Sequence, residues 1–325
     1  MPKRLRSVSL LLWIFGLFTI LTVYTIYDNN RFIVVRQDVA INGLPKPFDG
    51  FTILQITDLH GARFGDRQQD LAAVINTLNY DLIAVTGDVW YHHEADIEPF
   101  YELLDSIQQK DALICTSGNS SPTDVDYSIG VVTPAGNDFQ AAGCRLLDRP
   151  FTIERDGARL WFAEQHYASD PDVLMKIGAM DRKTAKTVYY VTLEENRAKY
   201  KKEIDEILSG ISEDDILIGI THFPLLKRVL DAPDRTGLPP FDLVVAGHYH
   251  GGQIRLPFLG ALLIPNANEE HRGWIPDPQI VSGLYEGNGI QQYTSRGLGS
   301  GGSIPFLRFR LFNTPEINLI TLRSK

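Results

Sequence analysis

Five short apolar runs in this 325-residue sequence end on side chains that can hold a divalent metal. The densest is FDLVVAGHYHGGQIRLP, residues 241–257, where His248 and His250 follow an apolar run and sit among Gly247, Gly251 and Gly252. Imidazole is the commonest side-chain metal ligand, and glycines let the backbone turn tightly beside something bound. Upstream, GFTILQITDLH delivers Asp58 and His60, DLIAVTGD delivers Asp88, ALICTSGN delivers Asn119 and DILIGITH delivers His222. Two carboxylates, one amide oxygen and four imidazoles suit zinc, manganese or iron rather than an all-oxygen calcium cage. Seven ligands are too many for one tetrahedral ion, whereas two ions sharing a carboxylate would use them all. Paired metals roughly 3.5–4 Å apart can clamp the attacking and leaving oxygens of a phosphoryl displacement and generate a hydroxide at neutral pH. The expected cofactor is therefore a pair of divalent ions, and the expected substrate a phosphoester.

Side chains so far apart in sequence need a scaffold that gathers them. Each run is continuously apolar, the pattern of a strand covered on both faces. Helical patterns over 68–78, 97–108 and 194–208 alternate with these strands, which implies an α/β architecture. In such sheets ligands bind just beyond the carboxyl ends of the strands, where all seven residues fall.

The composition is that of a globular protein with a sizeable core, 44% hydrophobic and 22% charged. A net charge of −9 argues against nonspecific nucleic-acid binding, which needs a basic footprint. Two cysteines, Cys115 and Cys144, without a CxxC spacing exclude a zinc-finger or disulfide framework. The N-terminus departs from this composition. A basic tail (1–6, with Lys3, Arg4 and Arg6) precedes a charge-free run (7–27) of the length a bilayer core requires, with Trp13, Tyr24 and Tyr27 near its ends. No A-x-A cleavage site follows, so an uncleaved anchor is expected, with the tail in the cytoplasm and the domain outside. Residues 28–48 read as a connection and 49–325 as the domain. Oligomeric state leaves no trace in the sequence.

The ordered set DLH, GD, GN, TH and GHYHGGQ resembles the motifs of the calcineurin-like metallophosphoesterase superfamily. The GHYHGGQIRLP form and the distal SRGLGSGG and NTPEINLITL resemble its membrane-anchored bacterial branch, over residues 49–325. The resemblance implies a two-sheet sandwich flanked by helices and a hydrolase in which a metal-bridging hydroxide attacks phosphorus. It implies that Asp58, His60 and His250 hold one metal and that Asn119, His222 and His248 hold the other. Asp88 would bridge them, and Asp88, Asn119 and His250 would take part in catalysis. The anchor points to a lipid or cell-envelope phosphoester.

One position departs from the family pattern. After Gly118-Asn119 the family places a histidine that assists the leaving group; here Ser120 follows. Ser120, His92 and His93 are the expected substrate contacts, and His92, His93 or His166 could replace the missing imidazole. A rival reading is a catalytically weak sensor or scaffold that binds a phosphorylated ligand. His271 reads as an exposed loop residue. The run LPFLGALLIP (256–265) reads as a core hairpin, with a dip into the bilayer as the alternative. The glycines at 297, 299, 301 and 302 fit either a phosphate cradle or a mobile loop.

Overall fold

The structure, a computed structural model, describes residues 3–90, 97–121, 123–126, 130–164, 190–212, 214–232, 239–264, 273–302 and 307–325. Helix α1 (Lys3–Asn29) comes first, and its segment Ser9–Asn29 is long and apolar enough to cross a membrane; only its last residues touch the domain, where Asp28 is buried. Then come β1 (Ile33–Ile41), β2 (Thr52–Ile56), α2 (Gln69–Ile75), β3 (Leu82–Thr86), α3 (Glu98–Ser106) and β4 (Leu113–Thr116). A smaller group follows: β5 (Val125–Asp126), β6 (Val131–Val132), α4 (Pro134–Ala141) and β7 (Arg145–Leu146). The second half holds β8 (Phe151–Arg155), β9 (Ala158–Ala163), α5 (Tyr190–Leu208), β10 (Ile216–Ile220), α6 (Lys227–Leu230) and β11 (Leu243–Ala246). It ends with β12 (Ile254–Leu256), β13 (Gly260–Leu263), β14 (Gly283–Gly287), β15 (Ile290–Thr294) and β16 (Glu316–Ser324).

Two six-stranded sheets form the body, in the orders β1-β16-β2-β3-β4-β7 and β14-β15-β11-β10-β9-β8. The continuous apolar runs are explained by period-two alternation between two buried faces. Ile53, Leu82, Ala84 and Ile114 of the first sheet meet Phe162, Ile218, Ile220 and Val245 of the second in the layer between the sheets. Their neighbours Leu54, Ile83 and Val85 face outward onto Leu71, Phe100 and Leu103 of α2 and α3. Leu217 and Val244 do the same for the second sheet, against Leu226 and Leu230. The expected α/β sandwich flanked by helices is thus present, with β2-β3-β4 and β10-β11-β15 running parallel within their sheets. Buried Gln55 ties the two together, donating to Thr86 Oγ1 at 2.9 Å and to the Ala246 carbonyl at 2.8 Å.

Residues 28–48, expected as a connection, contain β1, which pairs in parallel with β16 along all nine residues. Its alternating, half-exposed pattern is that of an edge strand, and the turn signals around Asn42-Gly43 and Pro45 mark only its end. Of the 256–265 run, the described residues 256–264 belong to the β12–β13 hairpin, as expected, and Ala261 and Ile264 are core, but the turn at Phe258 and Leu259 stands in solvent.

Candidate metal centre

Asp58 lies two residues beyond β2, Asp88 two beyond β3, Asn119 three beyond β4, His222 two beyond β10, and His248 and His250 just beyond β11. Because these strands run parallel within each sheet, one edge of the sandwich receives them all. The backbone there is held in an unusual state. Asp58, His60, Asp88, His248 and His250 have φ of 52°, 47°, 52°, 74° and 51°, a region non-glycine residues rarely enter. Such conformations persist where the surroundings impose them, and they cluster at functional sites. Close packing is the source of the constraint. A Cβ on Gly118 would lie 2.1 Å from Asp88 Oδ1, and one on Gly247 would lie 2.5 Å from Asp58 Oδ2.

The side chains form two groups around one carboxylate. In the first, His60 Nε2 is 3.2 Å from His250 Nε2, and Asp58 Oδ1 lies 3.4 Å from His250 Nε2 and 3.9 Å from His60 Nε2. In the second, His222 Nε2 is 3.1 Å from both Asn119 Oδ1 and His248 Nδ1. Asp88 Oδ2 stands between the groups, 3.6 Å from His60 Nε2 and 3.4 Å from His222 Nε2, while Ser120 N donates to its Oδ1 at 2.8 Å. All seven predicted ligands are therefore brought together. His92, His93, His166 and His271 lie outside the described residues.

A cation fits this arrangement on its hydrogen bonding alone. Asp58 Oδ2 accepts from Thr57 Oγ1 at 2.9 Å and from His248 N at 3.1 Å, whereas its Oδ1 is buried, faces the imidazoles and has no hydrogen-bond partner. His222 Nδ1 faces the Thr86 carbonyl at 2.9 Å and must donate to it, which leaves Nε2 as a lone pair aimed at Asn119 Oδ1 and Asp88 Oδ2. Asn119 Nδ2 donates to Ser120 Oγ at 3.2 Å, so the amide oxygen is turned inward. Acceptors converging on acceptors are costly when buried unless a cation or a proton lies between them.

The titration behaviour agrees. Burial pushes His60 down to about 4 and His248 down to about 3, with the His222 charge adding to the second, and burial drives His250 well below the ordinary imidazole range. All three are neutral, the form that binds metal. Burial also works against the charged form of His222, but Asp88, Asp58 and the Thr86 carbonyl outweigh it and raise that group to about 9. In the absence of an ion, a proton occupies the place a metal would take. Asp58 is raised to about 6 by burial, while Asp88 falls well below the carboxylate range because His222 and the Ser120 amide overcome its burial.

Ser120, expected on the substrate, is nearly buried and holds Asn119 and Asp88 through the two bonds above. Residues the sequence reading passed over stand behind His250. Arg310, 1% exposed, donates from Nε to the Gly299 carbonyl at 2.7 Å and places an Nη 3.3 Å from His250 Nδ1. Asn313 donates to the His250 carbonyl at 2.6 Å. The glycine segment 297–302 packs onto the site: Gly299 N donates to Asp58 O at 2.6 Å, and a Cβ on Gly301 would meet His60 Nε2 at 3.0 Å. No local pattern around Arg310 or Asn313 marks them; only the spacing of the glycines in SRGLGSGG hints at close approach.

A cage of carboxylate, amide and imidazole acceptors at the convergent ends of two packed sheets is the architecture of a metal-dependent phosphoesterase. The chain belongs to the calcineurin-like phosphoesterase family, whose profile matches residues 51–252. It is 28% identical over 290 residues to YkuE of Bacillus subtilis (strain 168), an uncharacterized metallophosphoesterase, covering 86% of this chain and 82% of that protein. It is 34% identical over 83 residues to the phosphodiesterase YaeI of Escherichia coli (strain K12), covering 26% of each. A transmembrane protein with metallophosphoesterase domain from Bos taurus is 22% identical over 224 residues, 68% of this chain and 45% of that one.

Proposed function

We propose that this phosphoesterase works with two divalent ions, one held by Asp58, His60 and His250, the other by Asn119, His222 and His248, with Asp88 shared. The observation that supports the shared role is the position of Asp88 Oδ2 between His60 Nε2 and His222 Nε2. When bound, the ions supply a nucleophilic oxygen at neutral pH and offset the charge that develops on phosphorus. The chain's own residues prepare for this. Thr57 and the His248 amide orient Asp58, Ser120 orients Asn119 and Asp88, and the Thr86 carbonyl fixes the tautomer of His222. Neutral imidazoles and buried carboxylates make the pocket a cation trap in which protons compete at His222 and Asp58.

The domain is tethered by α1 and faces away from the cytoplasm, and its substrate is a phosphoester of a lipid or the cell envelope. Supporting this are the basic residues ahead of the span and the gain in effective concentration that a tether gives for substrates in the same surface. Metal analysis of the purified chain, combined with turnover of phosphate mono- and diesters, tests the centre; two equivalents per chain and metal-dependent turnover are expected. Protease added to intact cells tests the topology: the domain is expected to be degraded, and its protection until the membrane is opened reverses the orientation.

A further inference from the structure

The stretch Ile254–Ile264, IRLPFLGALLI, carries a single charge, Arg255. Its hairpin turn projects from the domain, with Phe258 at 107% exposure and Leu259 at 73%. Alongside, Trp274 bridges Leu263 and Ile275 N donates to the Leu262 carbonyl at 2.8 Å, so these two residues flank β13 as a ledge. They are 67% and 78% exposed. Among the described residues outside α1, the other exposed large hydrophobics are Ile33 and Val131, so the apolar exposure of the domain is concentrated in this one place. Contiguous apolar surface of this kind marks an interaction site rather than ordinary soluble surface. Phe258 moreover sits at φ 71°, a strained state for a bulky residue, in a turn that presents the ring to solvent rather than to the core.

What covers this patch follows from where the hairpin is rooted. Ile254 bridges Leu311 and Arg255 N donates to the Leu311 carbonyl at 3.0 Å. The residues on either side of Leu311 contact the end of α1: the Phe312 ring lies 5.2 Å from that of Tyr24, and Asn29 clamps the Arg310 backbone with bonds of 2.7 and 2.8 Å. The base of the hairpin and the foot of the helix thus share one strip of backbone. We propose that Phe258, Leu259, Trp274 and Ile275 insert into the interface of the same lipid bilayer that α1 crosses. Tryptophan with large aliphatic neighbours is the side-chain chemistry of that interface. His250 lies four residues before Ile254, so this second contact seats the metal centre at the lipid surface instead of leaving it to swing on a tether. The inference rests on the proposed anchorage by α1.

The test uses the full chain in phospholipid vesicles with brominated acyl chains, labelled with bimane at Phe258→Cys, at Phe18→Cys within the span, or at Asp156→Cys. Asp156 lies in the β8–β9 turn at the opposite edge of its sheet from the centre, and native Cys115 and Cys144 are buried. Quenching at 18 and 258 but not at 156 is expected. Quenching at 18 with 258 as bright as 156 overturns the insertion and leaves the anchor standing; a bright label at 18 removes the anchor and the insertion with it. Self-quenching at 258 that rises with protein density, without quenching by lipid, would assign the patch to a second copy of the chain and also overturn the proposal. As an independent arm, Phe258→Glu combined with Leu259→Glu is expected to lower turnover of a vesicle-embedded phospholipid by about tenfold or more, the scale set by removing two large apolar side chains from the interface. Turnover of a water-soluble aryl phosphate should not change. Equal loss on both substrates counts against the proposal.

Discussion

His250 and His222 occupy corresponding places, each just past a strand of the second sheet with Nε2 toward an aspartate, yet they are held differently. His222 is fixed by groups at or just beyond strand ends: the Thr86 carbonyl across the sandwich, Asn119, and the ring of Phe223 at 4.9 Å. His250 is fixed instead from the C-terminal segment, by Gly299, Arg310 and Asn313, and Arg310 is in turn clamped by Asn29 at the foot of α1. The proposed second metal position is therefore built from the strand ends, whereas the proposed first one depends on how the C-terminal segment and the N-terminal helix close over it. This makes the two halves separable by substitution, apart from the residue they share.

Asp88→Asn should produce the largest effect, since it removes the carboxylate charge common to both groups. Metal content is expected to fall at both positions, and turnover by more than the roughly 10- to 100-fold that losing an outer partner of a ligand costs. Two ions bound normally by this variant would show that the halves are independent and that Asp88 is not shared. Arg310→Met comes next. It leaves every predicted ligand in place but removes the brace behind His250, so a stepwise cobalt titration followed by absorbance should show one step weakened about 10- to 100-fold and the other unmoved. Equal weakening of both steps would mean that Arg310 supports the fold at large rather than one half of the site.

Ser120→Ala is the matching change on the other side and a smaller one. It deletes the hydroxyl that accepts from Asn119 but keeps the backbone bond from Ser120 N to Asp88. Loss of one neutral hydrogen bond is worth about 1 kcal/mol, so the other titration step should weaken several-fold to about tenfold. If the same step moves in Arg310→Met and in Ser120→Ala, the division into two separately supported halves is wrong.

The same division explains what the sequence disclosed. Asp58, Asp88, Asn119, His222, His248 and His250 were legible because each follows a buried apolar run, and parallel strands must deliver their carboxyl ends to one edge. The edge strand β1 was not, because Ile33–Ile41 is half exposed and pairs with β16, almost three hundred residues away. Arg310 and Asn313 were hidden for the same reason: their partner His250 is 60 and 63 residues distant, and nothing beside them announces burial. The glycines of 297–302 fitted either a phosphate cradle or a mobile loop; the close packing of Gly297, Gly299 and Gly301 against Asp58, Leu59 and His60 is a third role that a glycine pattern alone does not specify. Phe258 and Leu259 looked like core because hydropathy reports apolar character and not which way a turn points.

The two halves also differ in what lies behind their supports, and pH should separate them. Arg310, though lowered to about 10 by burial, stays charged throughout the physiological range. Behind the second half is Asp124, fully buried, whose Oδ1 accepts from Ser117 Oγ and from Val125 N at 2.7 Å each while its Oδ2 has no hydrogen-bond partner. Ser117 begins the turn that carries Asn119. Burial raises Asp124 to about 6, against its hydrogen bonds and with help from the charge of Glu164. For a carboxyl group raised in this way, the folded state binds the proton more tightly than the unfolded one. Its contribution is fully present below the unfolded value near 4, is lost as pH rises through about 6, and is constant above that. A shift of this size corresponds to about 3 kcal/mol between those limits. Asp124→Asn keeps an acceptor for Ser117 and Val125 and cannot ionise. Urea unfolding of both chains in detergent, without added metal, should therefore show the stability difference moving by about 3 kcal/mol in favour of the variant between pH 4 and pH 7. Asp58 and His222 titrate in both chains and cancel in the difference. A difference that does not move with pH would mean Asp124 is ionised in the fold, and the second half would then be as insensitive to pH as the first.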